Sequence, residues 1–195
     1  MKRALLGLLL LASISCGDMV RQGTGSSYLT IEMLEAASGA KPEDFDGVLA
    51  SDLITFIDDV PTVFEDVGRV RFALRMKDPG PAGSPTEPTS ANAITINRYR
   101  VRYIRADGRN TPGVDVPHPF DGAFTVTVSE TAEMAFTLVR IQAKQEPPLS
   151  GLLASPAGVL STIAEITFYG HDQTGREVIV TGNIGVDFAN WGDPD

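Results

Sequence analysis

Read for its apolar and polar positions, the chain alternates with a period of two over much of its length. The clearest case is residues 163–188. On its first arm Ala164, Ile166 and Phe168 alternate with Glu165 and Thr167. On its second arm Val178, Val180, Ile184, Val186 and Phe188 alternate with Glu177, Thr181, Asn183 and Asp187. Between the arms, Asp172 offers a carboxylate to start a turn and Gly175 tolerates a positive φ. Alternation of this kind gives a strand one buried and one wet face, so a second sheet must cover the buried one.

The rest of the chain supplies candidates for that cover. Residues 28–35 set Leu29, Ile31 and Met33 against Thr30 and Glu32. Residues 48–57 read as a strand broken near Ser51 and Asp52, with Asp58 to Pro61 interrupting it. Residues 67–77 place Val70, Phe72, Leu74 and Met76 on one face and Arg69, Arg71, Arg75 and Lys77 on the other. Residues 94–105 form the next strand, but Ile94 and Ile96 occupy even positions while Tyr99, Val101 and Tyr103 occupy odd ones. One inserted residue, a bulge at Asn97-Arg98, reconciles the two phases. Residues 122–129 turn Phe124, Val126 and Val128 inward, and Thr137, Val139 and Ile141 favour strand over helix in residues 134–143. Pro79, Pro81, Pro85 and Pro88 mark residues 78–92 as an exposed loop.

The total is about eight strands, with no long helix and no alternation of strand and helix. The pattern predicts an all-β fold: an antiparallel two-sheet β-sandwich, immunoglobulin-like in architecture. A jelly roll or another Greek-key sandwich fits the same pattern. Trp191 lies outside the strands, and no internal disulfide can form because the chain has a single cysteine.

The first residues carry a different signal. Lys2 and Arg3 precede an apolar run over residues 4–14, too short for the ~20 residues of a spanning helix. Small residues follow, and then Cys16. This segment reads as an export signal, and it resembles the leader of bacterial lipoproteins, whose lipobox ends in the cysteine that receives a diacylglycerol. It departs from that pattern at Ser13, where the family mostly carries Leu or Val. The resemblance implies cleavage before Cys16 and lipidation of its thiol. A general signal peptidase cutting after Ser13-Ile14-Ser15 would break the same bond and leave the thiol free. Gly17, rather than Asp, follows the cysteine, and by the family's sorting rule this points to the outer membrane. The implied organisation is a signal peptide over residues 1–15, a lipidated cysteine and flexible tether over 16–27, and one sandwich domain over 28–195.

Charge narrows the partners. The formal net charge of −9 becomes −11 once Lys2 and Arg3 leave with the leader. Such a surface repels phosphate backbones, which argues against nucleic acid. It tolerates divalent cations and basic partners.

Candidate chemistry concentrates in residues 105–122, an irregular stretch rich in Pro, Gly and Asp. Loops held on a rigid β scaffold collect binding residues, which makes Asp107, Arg109, Asp115, His118 and Asp121 the candidate ligand-binding set. Asp107, Asp115 and Asp121 also have the oxygen chemistry of a Ca²⁺ site, although their spacing is not that of an EF-hand. The opposing reading is a stiff connection whose Asp-Gly and Pro residues serve turn geometry. His118 and His171, the only histidines, have no HExxH context for zinc. The acidic groups Glu43-Asp44-Asp46, Asp58-Asp59 and Glu65-Asp66 read as solvated loops rather than a glycosidase pair. No Gly-x-Ser-x-Gly elbow, phosphate-binding loop or dinucleotide fingerprint occurs. Arg69, Arg71 and Arg75, with Arg98, Arg100 and Arg102, fall on strands expected to neighbour one another. They form either an anion-binding face or one half of cross-strand ion pairs with Glu165, Glu177 or Asp187.

The expectation is therefore a membrane-anchored envelope lipoprotein with a non-enzymatic binding or structural domain, its partner an envelope protein or glycan. A hydrolase of envelope polysaccharide using loop carboxylates, and a Ca²⁺-stabilised adhesion module, are the alternatives.

Overall fold

The computed structural model describes residues 25–154 and 158–191. The leader, Cys16 and most of the tether lie outside the described residues.

The described chain is all-β, with short helical turns only. Its strands are β1 (Ser27–Ala37), β2 (Val48–Asp52), β3 (Thr55–Ile57), β4 (Val60–Thr62) and β5 (Asp66–Met76). They continue with β6 (Ile94–Ile104), β7 (Phe120–Val128), β8 (Thr131–Val139), β9 (Leu160–Asp172) and β10 (Glu177–Ala189). A single α-turn, α1 (Ile141–Gln145), follows β8. One sheet has the order β1-β5-β8, a second the order β2-β10-β9-β6-β7, and β3 and β4 form a small ribbon.

The long C-terminal pairing forms as the alternation predicts. β9 and β10 pair antiparallel from Leu160–Phe188 to His171–Glu177. Their turn is held by the Asp172 carboxylate, which accepts from the Thr174 amide at 2.8 Å and the Arg176 amide at 3.1 Å. Gly175 takes φ of +78° there. Burial raises the Asp172 pKa, but the hydrogen bonds from Thr174 and Arg176 outweigh it and hold the carboxyl below its ordinary range. The phase slip in β6 is also real. Its register with both β7 and β9 shifts between Ile96 and Arg98, so Ile94, Ile96, Tyr99, Val101 and Tyr103 are all buried.

Three expectations need correction. The pairing is not antiparallel throughout, because β2 runs parallel to β10 from Val48–Gly185 to Asp52–Ala189. Its partner strand was already satisfied by β9 on one edge, and β2 adds to the other. The stretch 48–57 breaks after Asp52 as expected, but residues 58–61 do not merely interrupt it: Asp58 and Asp59, both at positive φ, turn β3 back into β4. With β4 added, the described residues hold ten strands. Finally, residues 134–143 do not continue as strand to their end, since the chain leaves β8 at Val139 and enters α1.

The two larger sheets share one core. Phe72 of β5 meets Phe168 of β9 edge-on with ring centroids 5.0 Å apart. Tyr99 of β6 meets Phe136 of β8 at 5.1 Å. Leu34 and Ile31 of β1 pack over Gly182 of β10, where a Cβ would sit within 2.9 Å of each side chain. Burying an aromatic or aliphatic side chain here contributes about 1.5–3 kcal/mol. Tyr103 is enclosed without an unmet polar group, since its hydroxyl donates to the Leu138 carbonyl at 2.7 Å.

Candidate functional site

The 38–46 loop joins β1 to β2 and makes one wall of a cavity of about 290 Å³. Its ends are clamped by two backbone hydrogen bonds between Ala36 and Asp46, at 2.9 and 3.0 Å. Asp44, Asp46, Asp52, Lys41 and Thr55 bring polar groups to the cavity, and Trp191 also lines it. The Trp191 amide donates to Asp52 Oδ1 at 3.1 Å, and the Thr55 hydroxyl donates to Asp52 Oδ2 at 2.8 Å. Asp52 thus fixes the rim from both sides.

Asp52, on the cavity wall, also meets a buried ion pair. Lys144 Nζ, carried by α1, donates to Asp66 Oδ1 at 2.8 Å and to the Asp52 carbonyl at 2.7 Å. Asp66 also accepts from the Ser51 hydroxyl at 2.6 Å and from the Gly39 amide at 2.9 Å. Asp66 and Ser51 are 0% exposed and Lys144 is 2% exposed. Four segments (the loop, β2, β5 and α1) therefore converge on one carboxylate. A buried charge without partners costs several kcal/mol, whereas this one is fully hydrogen-bonded. Burial raises the Asp66 pKa, against the pull of Lys144, Ser51 and Gly39. Gly39 is required for the close approach, because any Cβ there would collide with the Glu65 carbonyl.

Asp66 thus departs from the reading of Glu65-Asp66 as a solvated loop, whereas Glu65 is exposed and outside the strands. Sequence reasoning passed over Lys144 as well. The only available signal was the apolar setting of Val67 and Ala143 around the two charges, which does not identify a pair 78 residues apart.

The residues singled out in 105–122 do not converge. Asp107 pairs with Arg105 at 2.6 Å and with Arg109 at 3.0 Å. The Arg105 side chain, then the Arg109 amide, lower its carboxyl to about 2. Asp115 accepts from the Thr111 amide at 3.1 Å. Asp121 stands on β7 and pairs with Arg98 at 3.3 Å and Arg100 at 3.1 Å. His118 is exposed, with its imidazole against Gly113. The loop does close over a small cavity of about 170 Å³, but its walls are Tyr103, Val116 and prolines rather than these five side chains. Among the described residues no group of three or more His, Cys, Asp or Glu side chains is placed to hold a metal ion.

The six strand arginines do not share a sheet either. Arg69, Arg71 and Arg75 lie on β5 of the three-stranded sheet, and Arg98, Arg100 and Arg102 lie on β6 of the five-stranded one. Each meets a carboxylate across its own sheet. Arg69 pairs with Glu35, Arg71 with Glu133, Arg75 with Glu32 and Arg102 with Glu165. At this exposure each pair is worth about 0–1 kcal/mol.

Among the described residues no helix is long and apolar enough to cross a membrane. No protein-family model matches the chain, and no curated protein matches it.

Proposed function

We propose that the chain is an exported lipoprotein, anchored through Cys16 to the bacterial cell envelope, whose domain is a non-enzymatic binding module. In this reading the domain is an immunoglobulin-like β-sandwich. The contacts of Phe72 with Phe168 and of Tyr99 with Phe136, each joining the two larger sheets, support that architecture. The leader pattern supports export and anchoring, with the outer membrane as destination.

The ligand site of this reading is the cavity between the 38–46 loop and Trp191. The observation that carries it is the buried Lys144–Asp66–Ser51 network, which meets the cavity wall at Asp52 and ties the loop, β2 and α1 together before any ligand arrives. Pre-positioned walls reduce the entropy lost on binding. Carboxylates accept hydrogen bonds from hydroxyls, and an indole offers a flat apolar face. That combination suits a glycan of the envelope.

Two experiments test the reading. Titrating the domain with soluble peptidoglycan fragments is expected to give saturable quenching of Trp191 fluorescence, the only tryptophan signal in the chain. Trp191→Ala should weaken binding by calorimetry, and an absence of binding to any envelope glycan would remove the site. For the anchor, globomycin is expected to make an unprocessed precursor accumulate, and normal processing under the drug would reject lipidation.

A further inference from the structure

The end of β8 and the start of α1 border a second concavity, of about 390 Å³. Arg140, Tyr99, Thr137 and Gln142 bring polar groups to it, and Phe120 forms its apolar wall. Arg140 is anomalous among the arginines. The other arginines of the described residues are all ion-paired: those on β5 and β6, Arg105, Arg109 and Arg176. Arg140 has no carboxylate partner among the described residues, although Glu65 and Asp121 line the same cleft. Of these two, Asp121 is neutralised by other cations. Asp121 serves Arg98 and Arg100, and Glu65 accepts from the Thr137 hydroxyl at 3.4 Å.

The Arg140 guanidinium lies over the Phe120 ring, 4.5 Å from its centroid, and its Nε is buried with no acceptor among the described residues. A buried donor left unmet costs about 1–3 kcal/mol and asks for an explanation. The one other such atom, Arg69 Nε, lies 3.7 Å from a Glu133 oxygen and so has a charge partner. The cleft is also held in shape. The Tyr99 ring fills the space above Gly122, where any Cβ would collide with it. Burial, chiefly, raises the Tyr99 pKa, against the hydrogen bonds from Thr137 that lower it.

We propose that this cleft binds a phosphate group, with the planar fork of Arg140 as the anchor and the Phe120 ring as the wall that holds the fork in place. A guanidinium matches a tetrahedral oxyanion with two parallel N–H bonds, and stacking on an aromatic face leaves that edge free. Free phosphate and a phospholipid headgroup share this chemistry. The site is independent of the glycan cavity, and either stands if the other fails.

The test follows the side-chain Nε–H signal of Arg140 by NMR in the full chain. Two probes are titrated: inorganic phosphate, and short-chain phosphatidylglycerol below its micelle concentration. A saturable shift with phosphate supports a site for the free ion, and one with the phospholipid alone supports a headgroup site. In both cases Arg140→Gln, which lacks that reporter, should bind at least about tenfold more weakly by calorimetry, the equivalent of one charged hydrogen bond. Arg109→Gln, which touches only the Asp107 turn, should leave binding unchanged. If R140Q does not fold, R140K keeps the cation and stem but loses the fork, and it should still weaken binding several-fold. No saturable response to either probe, or equal binding by the Arg140 and Arg109 variants, overturns the proposal.

Discussion

Lys144 and Arg140 sit on the same short turn, yet the fold treats them oppositely. Lys144 is enclosed and fully partnered: its ammonium meets Asp66 and the Asp52 carbonyl, and its carboxylate partner is itself satisfied by Ser51 and Gly39. Arg140 is half-buried, stacked on Phe120, and has no carboxylate partner among the described residues. The difference separates a charge that organises the domain from a charge left available to bind. The first should show in stability, the second in ligand affinity.

The largest effect belongs to the buried pair. Asp66→Asn or Lys144→Met leaves one buried charge uncompensated and should cost about 3–5 kcal/mol by urea unfolding. The double substitution Asp66→Leu with Lys144→Met should recover most of that loss, because removing both charges also removes the desolvation they suffer. If the singles cost no more than an exposed pair, the contrast with Arg140 collapses.

Next comes Gly122→Ala, which drives a Cβ into the Tyr99 ring. Overpacking of this kind costs about 1–3 kcal/mol, and thermal unfolding measures it. Arg140→Gln should change stability by less, on the order of 0.5–1 kcal/mol for the lost contact with Phe120. A cost as large as that of Lys144 would mean that Arg140 is structural after all.

The pH dependence sharpens the comparison further. Burial holds the native Asp66 above its ordinary value of 3.8. The folded chain therefore keeps this proton where the unfolded chain has lost it. That contribution is fully present below the ordinary value and is lost as pH rises through the native one. Removing Lys144 removes the main opposing influence, so K144M should regain stability relative to the parent as pH falls toward 3.8. A constant gap between the two across that range would contradict the assignment. The smallest effect is at Asp107, whose carboxyl, held at about 2 by Arg105 and Arg109, contributes stability above its ordinary range that disappears as pH falls through that value. A carbon-detected NMR titration reads it directly.

How much of this was legible in the chain depended on the range of the interaction. Alternation is local, so β9, β10 and the arginine-bearing face of β5 were readable from neighbouring residues. Even the bulge in β6 was visible, because a one-residue slip moves every later side chain to the other face. The parallel addition of β2 to β10 was hidden, since five residues carry no mark of the direction of their partner. The same holds for the site. Asp107 and Asp121 stood out because their segment is irregular, but irregularity reflects turn chemistry as readily as binding. Asp66, Lys144 and Arg140 lie in or beside ordinary strands and become informative only when distant segments meet.

Amide exchange at Gly39 tests most directly whether the buried pair pre-positions the cavity. Its N–H donates to Asp66 from within an otherwise surface loop. The account predicts protection comparable to the β9 and β10 amides, lost in Asp66→Asn while those strands stay protected. Exchange in the parent protein as fast as that of the 79–88 loop would contradict it.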